Sequence, residues 1–289
     1  MAMTETAPCR ARPSDALERF RQWVAFLCAM FEDPDPLAAA ACRPSFKTYV
    51  PNYYRHWFGA DIEPLTARHL QWFRRLRPVL ALPAGSRLLD FGGGFGMDSI
   101  FLASLGYRVT FYEVSTHHIA IAKFIAQKYA AQAGPLDIQF VCVRKDPPPT
   151  GFDAVLLDEV AHHIEPVTDA FDTAARMLKP GGSLFLLEPN FLSLPVQLYF
   201  FRVRGFKVVG LQWDIETGEV RPLGREHIRL ASDWAAQAGK FGFRLTESSY
   251  IVPWLMRSAE PSWLRRVAEQ MPVVRAITAT HLTMHFVRP

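Results

Sequence analysis

Between Leu88 and Ile100 the chain reads LLDFGGGFGMDSI, with glycines at 92, 93, 94 and 96. A strand is predicted to end at Phe91 and a helix to begin near Met97. Glycines in such a turn let a ligand lie against the backbone, and the helix start aims its N–H groups at the same place. The spacing tests one class of ligand. A dinucleotide fingerprint counted from Gly92 needs glycine at 97, which is Met97. Counted from Gly94 it needs small residues at 96 and 99, met by Gly96 and Ser99. The fit to a pyrophosphate site fails in the first register and is partial in the second.

Hydrophobic periodicity supplies the elements that position this loop. Apolar runs predict strands over RLLDF (87–91), YRVTFYE (107–113), DIQFVCV (137–143), FDAVLLD (152–158) and GSLFLLE (182–188). Helices are predicted between them at about 96–105, 116–132 and 166–178, and a KPGG turn over 179–182 leads into the fifth strand. Strands this continuously apolar, alternating with helices, imply a parallel sheet covered on both faces. Beyond Glu188 the regularity lapses for about forty residues. It returns with a helix from Ser232, a strand over 243–252, a helix around 261–278 and a closing strand HLTMHFV.

Upstream, Leu17, Phe20, Trp23, Val24, Leu27 and Phe31 are spaced for one face of a helix over 14–31. A second helix is expected from after Pro64 to near Pro78, with an aromatic loop and short helix over 43–63. The predicted organisation is an N-terminal helical and aromatic cap (1–80) and an α/β domain (81–289) interrupted by an insertion at 191–225.

Of the 289 residues, 49% are hydrophobic and 21% charged, which describes a globular chain with a large core. The net charge of +4 is too mild to argue for nucleic acid. Cys9, Cys28, Cys42 and Cys142 form no CxxC pair, so neither a zinc cage nor a disulfide framework is readable. No cluster of Cys, His and Asp ligands is visible, and no metal is expected. The longest apolar stretch, 191–201, is shorter than the ~20 residues a membrane span needs. With no apolar signal region at the N-terminus, a cytoplasmic location is predicted. Monomer and homodimer both stay open.

Asp90 at the end of the first strand, Gly92, Gly94 and Gly96 in the loop, and Glu113 at the end of the second strand form a recognisable set. Together with FDAVLLDEVAHHI, MLKPGGSLFLLEPN and REHIRLASDWAAQAGKFGFRL, this set resembles the class I S-adenosylmethionine-dependent methyltransferases of the small-molecule branch. The resemblance covers residues 84–190 and, more loosely, 226–289. It implies a Rossmann-like fold, a seven-stranded mostly parallel sheet with an antiparallel last strand. It also implies S-adenosylmethionine as cofactor. Gly92, Gly93, Gly94 and Gly96 would carry its methionine part, with Asp90 ordering the loop. Glu113 would accept hydrogen bonds from both ribose hydroxyls, Val114 would pack on the adenine, and Asp158 would lie near the amino-acid end. An acid that often bonds the adenine amino group has Arg144 at its place here. Asp146, two residues late, or the backbone of Val143 and Arg144 takes that task.

Methyl transfer is an in-line displacement from a sulfonium, so the protein mainly aligns the partners and excludes water. A base is needed only when the nucleophile must lose a proton. Glu159, His162 and His163 follow the fourth strand and are the candidates; either one histidine is the base or both are structural. Glu188 and Asn190 end the fifth strand, facing substrate or forming a turn. His227 lines the same cleft or makes a hydrogen bond at a helix start. Tyr53, Tyr54 and Trp57, with the aromatic and basic residues of 191–225, form a substrate lid or ordinary packing and surface. A small hydrophobic or aromatic metabolite is the expected substrate, with O-methylation favoured over C- or N-methylation. DEVAHH lacks the Asn/Asp-Pro-Pro-Tyr/Phe pattern of nucleobase amino-methylation. A cyclising enzyme that keeps the cofactor, or a non-catalytic cofactor-binding partner, would carry the same loop.

Overall fold

Strands β1 (Arg87–Phe91), β2 (Arg108–Glu113), β3 (Ile138–Cys142), β4 (Phe152–Asp158) and β5 (Leu178–Pro189) form where the apolar runs predict them. With β8 (Arg244–Ile251) and β9 (His281–Val287) they make a seven-stranded sheet in the order β3-β2-β1-β4-β5-β9-β8. The sheet is mostly parallel and its last strand, β9, is antiparallel to both neighbours. The computed structural model describes residues 13–32, 67–146, 149–214, 217–252 and 270–289. It divides into two units, Met1–Pro147 and Pro148–Pro289.

In the first unit, β1, β2 and β3 are parallel, and five of the six residues of β2 are buried. A central parallel strand is covered on both faces, which is why its sequence is continuously apolar. Helix α1 (Pro13–Glu32) buries Phe20, Trp23, Val24 and Leu27, the i, i+3, i+4, i+7 stripe of an amphipathic helix. Phe20 packs edge-on against Trp72 of α2 (Ala67–Leu76) and Phe101 of α3 (Met97–Ser104), with centroids 4.9 and 5.1 Å away. Trp23 meets Tyr129 of α4 (Thr116–Ala133) at 4.6 Å. The N-terminal helices thus share a core with the helices that flank the glycine loop. Ser115 caps α4 by accepting from His118 N, fixing the turn that follows β2.

In the second unit, β4 and β5 are parallel and α5 (Thr168–Met177) connects them. The KPGG segment, expected as a turn before the strand, lies within β5. Register jumps from Phe152–Leu178 to Ala154–Ser183, so residues 179–182 bulge out of the ladder. Gly181 takes φ +76° there, a left-handed conformation that glycine adopts without penalty. Its N–H donates to Arg288 O, and Arg288 N–H donates to Gly182 O.

The stretch after Glu188 is more regular than expected. It contains α6 (Leu194–Arg204) and an antiparallel hairpin of β6 (Val209–Asp214) and β7 (Glu219–Gly224). Periodicity could not show them because α6 buries only Phe200 and β6 buries no residue. A pattern of inside and outside needs an inside. Helix α7 (Ala231–Gly239) starts one residue before the expected Ser232. Of the helix expected around 261–278, α8 (Pro272–Thr278) is described, and residues 253–269 lie outside the described residues. Among the described residues no helix is long and apolar enough to cross a membrane.

One glycine fixes the hairpin. A Cβ on Gly224 would strike the carbonyl oxygen of His162 and lie 3.2 Å from the Cα of His163. An antiparallel bridge between Ile164 and Leu223 stands beside this contact. Gly224→Ala should therefore lever the hairpin off the turn after β4 and destabilise the fold by at least about 2 kcal/mol. A urea titration will show it as a lower midpoint; an unchanged midpoint would mean the backbone yields there without cost.

Candidate functional site

The first of two constellations lies at the carboxyl ends of β1 and β2. Asp90 is buried, and its Oδ2 accepts a hydrogen bond from Ser99 Oγ at 2.6 Å, tying the strand end to the first turn of α3. A Cβ on Gly93 would sit 2.6 Å from that oxygen and 2.8 Å from the Phe111 ring, so no side chain fits. Gly92, Gly94 and Gly96 have φ of +73°, +56° and +76°. A Cβ on Gly94 would meet nothing within 4 Å, so the loop is tight on its Gly93 side and open at Gly94. Trp72 Nε1 donates to Asp98 Oδ1 at 2.5 Å.

Glu113, also buried, is held by backbone donors. Oε2 accepts from Gly94 N (3.0 Å), and Oε1 accepts from Val114 N (2.8 Å) and Ser115 N (2.9 Å). Burial alone would raise its pKa. His118, whose Nδ1 lies 3.7 Å from Oε1, and the N–H groups of Ser115 and Gly94 instead hold it below the usual carboxylate range. A carboxylate has about four acceptor positions, so about one remains. Accepting two ribose hydroxyls would require Gly94 N–H to release Oε2.

Val114 is exposed beside Glu113, as an adenine-packing side chain must be. After β3 the chain turns back on itself: Asp146 Oδ2 accepts from Cys142 N at 2.8 Å and Asp146 N donates to Cys142 O. Asp146 thus closes its own turn, with the half-buried Arg144 inside it.

The second constellation follows β4 and β5. His162, in a short 3-10 turn (Ala161–His163), is buried and sits between two carboxylates. Its Nδ1 lies 2.5 Å from Glu188 Oε2 and its Nε2 3.2 Å from Glu226 Oε2. Glu188 is fully buried; its second oxygen accepts from Ala161 N at 2.8 Å. Burial works against charging His162, but Glu188 and then Glu226 push its pKa up to about 10. His163 goes the other way: burial and the adjacent His162 charge lower it. Its Nδ1 donates to Gly224 O at 3.0 Å, the carbonyl having nothing to donate. Glu226 would be raised by burial but is lowered by its hydrogen bond and charge contact with His162. Adjacent ring environments therefore hold one imidazolium and one neutral imidazole.

The remaining expected residues have clear placements. Glu159, at φ +53°, is bonded by His281 Nε2 at 2.6 Å, and Asp158 is half-buried at the end of β4. Glu188 reaches outward only through His162. Asn190 is buried and its amide is engaged throughout: Nδ2 donates to Ala276 O and Ala279 O, and Oδ1 accepts from Leu192 N. His227 Nδ1 contacts Glu165 Oε1 at 2.5 Å, and Arg229 pairs with the same oxygen. This network precedes α7. Tyr53, Tyr54 and Trp57 lie outside the described residues. Glu226, Glu165 and His281 were missed because each meets a partner more than sixty residues away.

The chain belongs to the S-adenosylmethionine-dependent methyltransferases: the family model for a methyltransferase domain matches residues 65–248. A ubiquinone biosynthesis O-methyltransferase of Xanthomonas axonopodis pv. citri (strain 306) is 34% identical over 209 residues. The match takes in 70% of this chain and 82% of the relative. The S-adenosyl-L-methionine-dependent Diels-Alderase iccD of Talaromyces variabilis is 33% identical over 116 residues, 39% of this chain and 40% of the relative. Another ubiquinone O-methyltransferase is matched over only 52% of its length. Among solved structures, phosphoethanolamine N-methyltransferase 2 of Haemonchus contortus superposes with a TM-score of 0.50 at 18% identity. It covers 75% of this chain and 53% of that one, a likeness of fold.

Asp90 gives a test within the glycine loop. Its burial, then the charge of Asp98, and further Glu113, raise its pKa from 3.8 to about 7 against the pull of Ser99. A carboxyl raised on folding stabilises fully below the unfolded value of 3.8, and that contribution is lost as pH rises through about 7. Asp90→Asn should flatten the dependence of the urea midpoint on pH across this window. A variant as steep as the parent chain would show that another group titrates.

Proposed function

We propose that the protein transfers a methyl group from S-adenosylmethionine to a hydroxyl of a small hydrophobic or aromatic metabolite. The observation that carries this reading is the split histidine pair: His162 fixed between Glu188 and Glu226, and His163 held neutral with its Nδ1 occupied by Gly224 O. A hydroxyl must shed a proton to become a nucleophile, and this edge of the cluster is built to promote that loss.

The glycine loop fits the cofactor. Gly93 has no room for a side chain, Gly94 is open, and Glu113 is a buried carboxylate with acceptor capacity left. Gly92, Gly94 and Gly96 would hold the methionine part, Glu113 the ribose and Val114 the adenine face. When bound, S-adenosylmethionine supplies an electrophilic methyl on a sulfonium. Asp90 acts indirectly, through Ser99 and the loop conformation. The glycine loop lies at the carboxyl ends of β1 and β2, the kind of place where open parallel sheets bind ligands. Exposed Tyr199, Phe201, Phe206 and Trp213 supply apolar surface suited to a lipophilic acceptor. The charge of +4 favours a small acceptor over nucleic acid.

The curated O-methyltransferase relative supports oxygen as the acceptor atom. A cofactor-assisted cyclisation is the second reading, prompted by the Diels-Alderase relative. A cycloaddition needs no proton acceptor, so the charged histidine cluster weighs for methyl transfer.

Two variants separate binding from chemistry. Glu113→Ala removes the ribose acceptor together with three backbone bonds; S-adenosylhomocysteine affinity should drop at least about tenfold by calorimetry, a loss of roughly 2–4 kcal/mol. Unchanged affinity would sink the ribose assignment. His163→Ala should leave that affinity within a few-fold while lowering kcat for a phenolic acceptor by about 10²–10⁴. Full activity in this variant at neutral pH would remove His163 from the reaction.

A further inference from the structure

The residues after β7 bring Glu226 to the turn after β4, so that two imidazoles and a carboxylate converge. Among the described residues this is the one set of three such side chains whose ligand atoms all lie within 4.8 Å of one another. We propose that His162, His163 and Glu226 bind a divalent transition-metal cation of the zinc class. The proposal rests on reading this cluster as the place where a substrate hydroxyl loses its proton, and it names the agent.

The orientation of the rings carries the argument furthest. Metal-bound histidines usually give their second ring nitrogen to a carboxylate or a backbone carbonyl, which fixes the tautomer and aims the ligand nitrogen. Both partners are present here. His162 Nδ1 is held by Glu188 Oε2 at 2.5 Å, and His163 Nδ1 by Gly224 O at 3.0 Å. Each ring is therefore left with Nε2 as its ligand atom. The support is itself supported, since Ala161 N–H holds the other oxygen of Glu188 and Gly224 admits no side chain beside the His162 carbonyl.

Distances and charge agree. His162 Nε2 and Glu226 Oε2 are 3.2 Å apart. Two ligands of a tetrahedral zinc, each about 2.0–2.1 Å from the ion, stand about 3.3 Å apart. Glu226 reaches this place from a backbone at φ +52°, a conformation that side-chain-bearing residues rarely adopt. Glu188 and Glu226 bring two negative charges to a single ring, more than one proton offsets. A divalent cation balances them, displacing the proton that His162 Nε2 shares with Glu226. Two nitrogens and one carboxylate select zinc, iron or cobalt over magnesium or calcium. Three protein ligands leave a fourth position open, where a hydroxyl oxygen would bind and release its proton to water at lower pH.

The test uses the full chain without a tag, stripped with chelator, then titrated with Zn²⁺ by calorimetry and with Co²⁺ by visible absorption. One Zn²⁺ per chain and the bands of tetrahedral cobalt are expected. His163→Ala and Glu226→Gln should each weaken Zn²⁺ binding at least tenfold, while His285→Ala, outside the cluster, should bind as the parent chain does. Binding of S-adenosylhomocysteine by the same samples shows that the variants are folded. No saturable Zn²⁺ binding by the parent chain, or undiminished binding by both ligand variants, would overturn the site. Methyl transfer by a chain that binds no zinc would overturn the site and leave the proposed function standing. Saturable zinc binding without transfer to any hydroxylated acceptor would support the site and overturn that function.

Discussion

The structure is organised by buried carboxylates at the ends of strands. Asp90 lies one residue from the end of β1, Glu113 closes β2, and Glu188 lies one residue from the end of β5; all three are buried. A carboxyl group taken out of water is costly unless hydrogen-bond partners replace the lost solvent. Each of these finds its donors in the turn of another element: Ser99 for Asp90, Gly94 with the adjacent Val114 and Ser115 for Glu113, and Ala161 and His162 for Glu188. Meeting the hydrogen-bond needs of the acids thus fixes the loops.

The same constraint sets the chemistry of the histidine pair. Two neighbours in sequence would ordinarily titrate alike. Here one faces two carboxylates and the other faces a carbonyl and its charged neighbour, so their proton affinities move in opposite directions. The difference comes from Glu188 at the end of a strand and from Glu226 at the end of a hairpin. Neither histidine carries it in its own sequence context.

This explains what could be read from the sequence and what could not. Continuous apolar runs identified β1, β2, β4 and β5 because a parallel strand covered on both faces leaves no room for polar alternation. The glycine loop, Asp90 and Glu113 were legible because they follow one another within a single strand–turn–helix–strand unit. Helix α6 and the hairpin were not, since they present most side chains to solvent and so show no periodic inner face. Glu226 stayed hidden for a different reason. Beside His227 in the sequence it looks like an ordinary loop acid, and only the seating of Gly224 on the His162 carbonyl turns it towards the pair. Asn190 was legible as a polar residue at a strand end, but its task depends on carbonyls of α8 and Ala279, more than eighty residues away.

The position of β9 has a consequence for how the second unit comes to be made. It follows β8 in sequence, yet it lies inside the sheet, with β5 on one side and β8 on the other. Arg288, just beyond it, donates its guanidinium to the carbonyls of Ala175 and Leu178, where α5 runs into β5. Until β9 joins them, β5 and β8 each keep an unpaired edge, and the end of α5 lacks these donors. Closing a sheet with its latest strand is slow, because the loop to be closed is long, and it leaves sticky edges exposed in the meantime. Docking of β9 is therefore a cooperative event, in which one strand joins two edges and finishes a helix more than a hundred residues upstream.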